Sequence, residues 1–189
     1  LFRSLDNDGI TPEERPLKVK VTIRGEEMTI DLSGSARMGV GPINCGEAQT
    51  IAACRVGYKE VINPDSQVSG GTFRNLNVIV EKGSFLAAEE PAPCGWYFTG
   101  LGLLIDLIIK ALAPVIPKQA AAAHYGDSNV ILFSGYDSIR EKQFAICEAT
   151  AGGWGAYDGD DGQNGMINVV NGDLKNWGID FIESKYPLR

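Results

Sequence analysis

The residues most suited to chemistry lie between Cys147 and Gly162. Gly152, Gly153 and Gly155 surround Trp154, and Asp158, Asp160 and Asp161 follow closely. Glycine at this density lets the main chain take positive φ and lets another group approach the backbone closely. The segment reads as a loop held in one shape at the end of a strand, offering backbone donors with carboxylates beside them. Gly152, Gly153 and Gly155 are therefore candidate substrate-binding positions, and Asp158 and Asp161 candidate catalytic or polar-contact groups. A tight glycine turn between two strands would produce the same pattern.

Other candidates are scattered. His124 is the only histidine. A lone histidine is more often a hydrogen-bonded structural residue than a catalyst, but it is the one imidazole on offer. Asn44 and Arg74 sit in glycine-flanked turns, where they could bind a carboxylate or carbonyl, or simply cap turn backbone. Cys94 and Cys147 have no basic neighbour in sequence, so both read as packed thiols rather than nucleophiles. No Gly-x-Ser-x-Gly elbow surrounds any serine, which removes support for a hydrolase triad.

Metal and nucleotide chemistry find little footing. With one His and no Cys-x-x-Cys spacing, a zinc site of the usual kind is not expected. An EF-hand register starting at Asp158 puts Gln163 where glycine is required, and one starting at Asp160 puts Asn171 where Glu is required. A looser oxygen site from Asp158, Asp160 and Asp161 stays open, against a solvated acidic turn. Gly100 and Gly102 open an apolar helix, but Ile105 replaces the third glycine of a dinucleotide fingerprint. No nucleotide or metal is expected within this chain.

The elements that must carry these residues follow from periodicity. Leu17, Val19, Val21 and Ile23 alternate with polar residues, and Met28, Ile30 and Leu32 alternate again after Arg24-Gly25-Glu26, predicting a hairpin. The period then changes: Ile51, Cys54, Tyr58 and Ile62 predict a helix over 47–62, ended by Asn63-Pro64. Leu76, Val78 and Val80 predict a strand. Leu101 to Leu112 is the most apolar run, interrupted by Asp106 and Lys110, and predicts a buried helix closed by Pro114. Ala120–Ala123 is open between helix and strand. Val130–Phe133 and Gln143–Glu148 predict strands joined by a charged turn. The sum is an α+β domain over residues 1–189, mainly antiparallel, with hairpins and two packed helices.

Composition narrows the partners. The 189 residues carry a net charge of −7, which argues against nucleic acid, whose phosphates need clustered Lys and Arg. Charges of both signs are interspersed, so no basic membrane-binding face is expected. Four cysteines without a stapling pattern read as free thiols in a reducing, cytoplasmic setting. Leu1 is not an initiator Met and Tyr186–Arg189 reads as the entry to another strand, so an inner section of a longer polypeptide is expected.

Several phrases, taken in order, carry a resemblance: Asp6-Asn7-Asp8-Gly9, Ile30-Asp31-Leu32-Ser33-Gly34-Ser35, Pro42-Ile43-Asn44, Gly70-Gly71-Thr72-Phe73-Arg74, Pro91-Ala92-Pro93-Cys94, Lys110-Ala111-Leu112-Ala113, Gly152-Gly153-Trp154-Gly155-Ala156 and Glu183 to Arg189. Their order resembles the B-type subunit of the hydantoinase B/oxoprolinase family. The family embraces ATP-dependent N-methylhydantoinases, 5-oxoprolinases, caprolactamase and the acetone and acetophenone carboxylases. The resemblance implies a hetero-oligomeric machine acting on a small molecule. An A-type subunit binds ATP and phosphorylates a carbonyl or enolate oxygen; the B-type subunit completes hydrolysis or carboxylation. It also implies a divalent metal, held by a His-rich motif upstream whose ligands have no counterpart here. The isolated chain is accordingly expected to be inactive. A non-catalytic module for assembling such a complex is the reading from a different class.

Overall fold

The computed structural model describes residues 1–171 and 178–185; residues 186–189, where a further strand is expected, lie outside them. Strands β1 (Phe2–Leu5) and β2 (Arg15–Lys18) pair antiparallel. Strand β3 (Lys20–Arg24) turns at Gly25 into β4 (Glu27–Asp31), as the alternation predicts. The single strand expected over Leu17–Ile23 is broken at Val19, whose N–H donates to Leu1 O at 2.9 Å. The alternation survives the break, with Leu17 and Val19 buried and Lys18 and Lys20 exposed. Strand β5 (Leu76–Ile79) joins β4 in parallel, so the mainly antiparallel architecture contains one parallel pair. A parallel neighbour needs a long crossover, and helix α1 (Glu47–Ile62) supplies it, on the bounds its periodicity predicts.

Helix α2 (Tyr97–Leu112) starts about one turn before the apolar run. Its Leu104, Ile105, Leu107 and Ile108 are fully buried against the face of α1 that carries Ala53, Cys54, Gly57 and Val61. Gly57 sets how closely the helices approach, since a Cβ there would lie 3.3 Å from three Ile108 side-chain atoms. The sheet contributes Met28, Ile30 and Leu32 to the same core, with Phe85 and Leu86 from the following loop. Strands β6 (Val130–Asp137) and β7 (Lys142–Ala149) form a second hairpin, and a short helix α3 (Ile179–Lys185) ends the described chain. Among the described residues, no helix is long and apolar enough to cross a membrane.

Two buried polar residues brace the loops. Asn44 accepts from Gly39 N at 2.8 Å and donates to Gly39 O, Gly41 O and Pro93 O at 2.9, 3.0 and 2.8 Å. Asp8 pairs with Arg15 at 2.9 Å, and N–H donation from Thr11, then from Ile10 and Gly41, holds its carboxyl well below the usual range against the opposing effect of burial. All four cysteines are free thiols. Burial pushes Cys45 and Cys54 up to about 12, so both stay protonated. Cys94 and Cys147, expected to be packed, are exposed instead. Cys94 follows the Pro91–Pro93 connection at the surface. Cys147 faces outward because its neighbour Ile146 takes the inward position of β7.

Candidate functional site

Segment 120–124 has neither of the two conformations left open for Ala120–Ala123; it is neither helix nor strand. It is held by Ala122 N donating to Ala156 O at 2.8 Å. On either side of it lie two cavities, of about 270 and 700 Å³, which share Asp106, Ala121, Ala122 and Tyr157 as walls. The smaller one is lined by α1, α2, this segment and the glycine-rich stretch.

That stretch is a small hairpin. Gly153 bridges Asn164 and Tyr157 bridges Asp160. Gly152 N donates to Met166 O at 3.0 Å and Trp154 N to Gln163 O at 2.9 Å, so these two donors serve the hairpin itself. Gly152 lies against the Tyr125 ring, and Gly155 against the backbone of Ala122. Trp154 is anchored by its indole N–H, which donates to Ile167 O at 2.7 Å. The hairpin thus forms a roof in which Trp154, Gly155 and Tyr157 face the smaller cavity.

Beneath the roof three ionisable residues arrive from three segments: Glu60 from α1, Asp106 from α2 and His124 from segment 120–124. Asp106 Oδ2 lies 2.7 Å from His124 Nδ1, with only 12% and 3% of the two side chains exposed. A carboxylate can only accept, which assigns the proton in that bond to Nδ1. His124 Nε2 is buried and has no partner among the described residues, and neither has Asn168 Nδ2. The two atoms converge on Gly102: each is 3.0 Å from where a Cβ of that residue would sit. Asn168 Oδ1 accepts from Val170 N at 2.9 Å, which turns its NH₂ group toward this point. Tyr125 links the cluster to the roof by accepting from Asn168 N at 3.1 Å.

Glu60 has no hydrogen bond or ion pair among the described residues. Desolvation, reinforced by the Asp106 charge and partly offset by His124, pushes its carboxyl from the ordinary 4.5 up to about 7. The native protein therefore holds a proton that the unfolded chain has released between those two values. The stability from this protonation is fully present below about 4.5 and is lost as pH rises through about 7, on the order of 3 kcal/mol in all. Urea unfolding at pH 5 and pH 8 is expected to show this decline in the wild type and to lose most of it in Glu60→Gln.

The sequence-derived candidates divide. His124, Gly155 and Asp158 stand at cavity walls, Asp158 at the larger one. Gly152 and Gly153 shape the roof. Asp161 is exposed and lines neither cavity, as is true of Arg74. Asn44 is fully buried with its amide engaged by backbone, the bracing role that the sequence left open for it. Glu60, Asp106 and Asn168 were not singled out. One signal was present for Asp106, a carboxylate in the middle of the most apolar run of the chain.

Among the described residues no three His, Cys, Asp or Glu side chains gather as a metal would require. Gly100 and Gly102 lie within the first turns of α2, buried against Phe85 and against His124 and Asn168, not at an open helix end that could take phosphate.

Comparison with known proteins agrees with this architecture. The B-type subunit of a candidate D-/L-hydantoinase from a Pseudomonas species (strain NS671) is 30% identical over 194 aligned residues, covering 98% of this chain and 32% of that protein. An uncharacterized protein of Methanocaldococcus jannaschii is also 30% identical, covering 91% of this chain and 30% of its own length. This chain thus spans about a third of the length of these relatives. The structure of an ATP-dependent caprolactamase from Pseudomonas jessenii shares the fold with a TM-score of 0.85 at 22% identity, over 98% of this chain and 34% of that one. Acetone carboxylase, in a nucleotide-free structure, shares it with a TM-score of 0.78 at 14% identity, over 97% of this chain and 26% of that one. The sequence pattern of one family matches residues 3–189, nearly end to end, and on that match the chain belongs to the hydantoinase B/oxoprolinase family.

Proposed function

We propose that the chain is a section of the B-type component of an ATP-dependent cyclic-amide hydrolase. In this reading an A-type, ATP-binding partner phosphorylates the carbonyl oxygen of a hydantoin, 5-oxoproline or lactam ring, and the B-type component opens the ring. Phosphorylation converts a stable amide oxygen into a leaving group, and a closed site keeps stray water from the activated species. The observation that carries the reading is the gathering of Glu60, Asp106 and His124 on one roofed cavity. A half-buried carboxylate beside a charged pair is suited to moving protons between water and an amide nitrogen. The 30% identity to a protein named for hydantoin chemistry favours a cyclic amide as substrate. The fold shared with acetone carboxylase supports a second reading, carboxylation of a ketone with bicarbonate. A divalent metal, if the complex uses one, is assigned to the remainder of the B-type polypeptide, and the complex to the cytoplasm, where ATP and free thiols coexist.

The test is ADP release by the longer B-type polypeptide purified with its partner. Stimulation by a cyclic amide with ring-opened product is expected. Stimulation only by ketone plus bicarbonate would transfer the chain to the carboxylases. A folded complex idle on both would leave it an assembly module.

A further inference from the structure

We infer that Glu60 is the proton-transfer residue of this site, carrying protons from the attacking water to the departing ring nitrogen of a phosphorylated cyclic amide. The inference rests on the cyclic-amide reading and adds to it a residue that nothing so far assigns. Elimination supports it first. The titratable side chains facing the smaller cavity are Glu60, Asp106, His124 and Tyr157. Asp106 and His124 are committed to each other at 2.7 Å, and the remaining His124 nitrogen is buried toward Gly102 rather than open to a ligand. Tyr157 is exposed at the rim. Glu60 alone combines a half-buried position with a carboxyl that no neighbour holds among the described residues.

Electrostatics supports it second. A proton carrier works best when its affinity sits near the operating pH. Burial, with the Asp106 charge acting in the same direction and His124 against it, brings Glu60 to about 7. The Asp106–His124 pair then has a role of its own: it fixes the charge environment of the carrier without touching substrate.

The chemistry balances. Water adds to the ring carbon that bears the phosphorylated oxygen, forming a C–O bond. One water proton moves to Glu60 and on to the ring nitrogen. As the C–N bond breaks, the second proton leaves the new hydroxyl and reaches the nitrogen by the same route. Both water protons end on the amine, and an acyl phosphate remains. A second water then releases phosphate and the carboxylate. No oxidant or reductant is needed.

The experiment compares wild type, Glu60→Gln and Glu60→Asp in the longer B-type polypeptide with its ATP-binding partner, measuring ring-opened product against pH. Glu60→Gln is expected to lower product formation by about 10²- to 10⁴-fold and to abolish the limb of the pH profile near neutrality. Glu60→Asp keeps a carboxylate and is expected to retain the limb at a reduced rate, which a purely structural role would not produce. An active wild type with Glu60→Gln within a few-fold of it, and an unchanged profile, would overturn this inference alone. A wild-type complex idle on every cyclic amide would overturn the underlying reading, and this inference with it.

Discussion

Gly155→Ala is expected to destabilise the chain by about 3–4 kcal/mol, while Gly153→Ala, two residues away, is expected to cost under about 1 kcal/mol. The contrast follows from what each new methyl would meet. At Gly155 it would overlap the carbonyl carbon and oxygen of Ala122, which are backbone and cannot rotate aside. That overlap can be relieved only by separating the glycine hairpin from segment 120–124, at the expense of the Ala122 N to Ala156 O hydrogen bond. At Gly153 the nearest atom is Gln163 O at 3.4 Å, an ordinary contact. Urea unfolding of the two variants checks the difference. Equal stabilities would mean that the roof is not seated on Ala122. Because Gly155 also lines the smaller cavity, its variant is expected to lose turnover in the assembled enzyme more steeply than its stability loss explains.

Asp106→Ala is expected to cost about 3 kcal/mol and Asp106→Asn about half of that. The alanine variant leaves His124 Nδ1 without an acceptor in a side chain that is only 3% exposed, beside an Nε2 that already has no partner among the described residues. The asparagine variant keeps an oxygen for Nδ1 but removes the charge. That charge raises the proton affinity of Glu60, so Asp106→Asn is expected to shift the Glu60 titration to lower pH. Carboxyl-carbon NMR of Glu60 in the two proteins measures the shift directly. An unmoved or raised Glu60 titration would show that the two carboxylates do not sense each other across the helix pair.

The parts of this fold governed by a single repeating pattern were legible in the sequence. The β3–β4 hairpin and α1 follow from periods of two and about 3.6, because one face of each meets a continuous core. The break at Val19 was not, since it depends on Leu1 pairing with a strand distant in sequence. The same distinction governs the site. The glycine hairpin was visible from composition, but its orientation was not: Gly152 N and Trp154 N look free in the sequence and are engaged by Met166 and Gln163 in the fold. Asp158 and Asp161, three residues apart, look equivalent until the hairpin turn sends only Asp158 to a cavity. Glu60 reads as one polar residue on a helix among others. Its importance arises only when Gly57 lets α1 close onto α2 and places it, desolvated, in one cavity with Asp106 and His124.

The most direct measurement is a crystal structure of the longer B-type polypeptide with a ring-opened product or a slowly turned-over cyclic amide bound. The ligand is expected in the smaller cavity beneath Trp154 and Gly155, with its nitrogen within hydrogen-bond reach of the Glu60 carboxyl. A ligand bound elsewhere, with this cavity filled by side chains from the rest of the polypeptide, would contradict it.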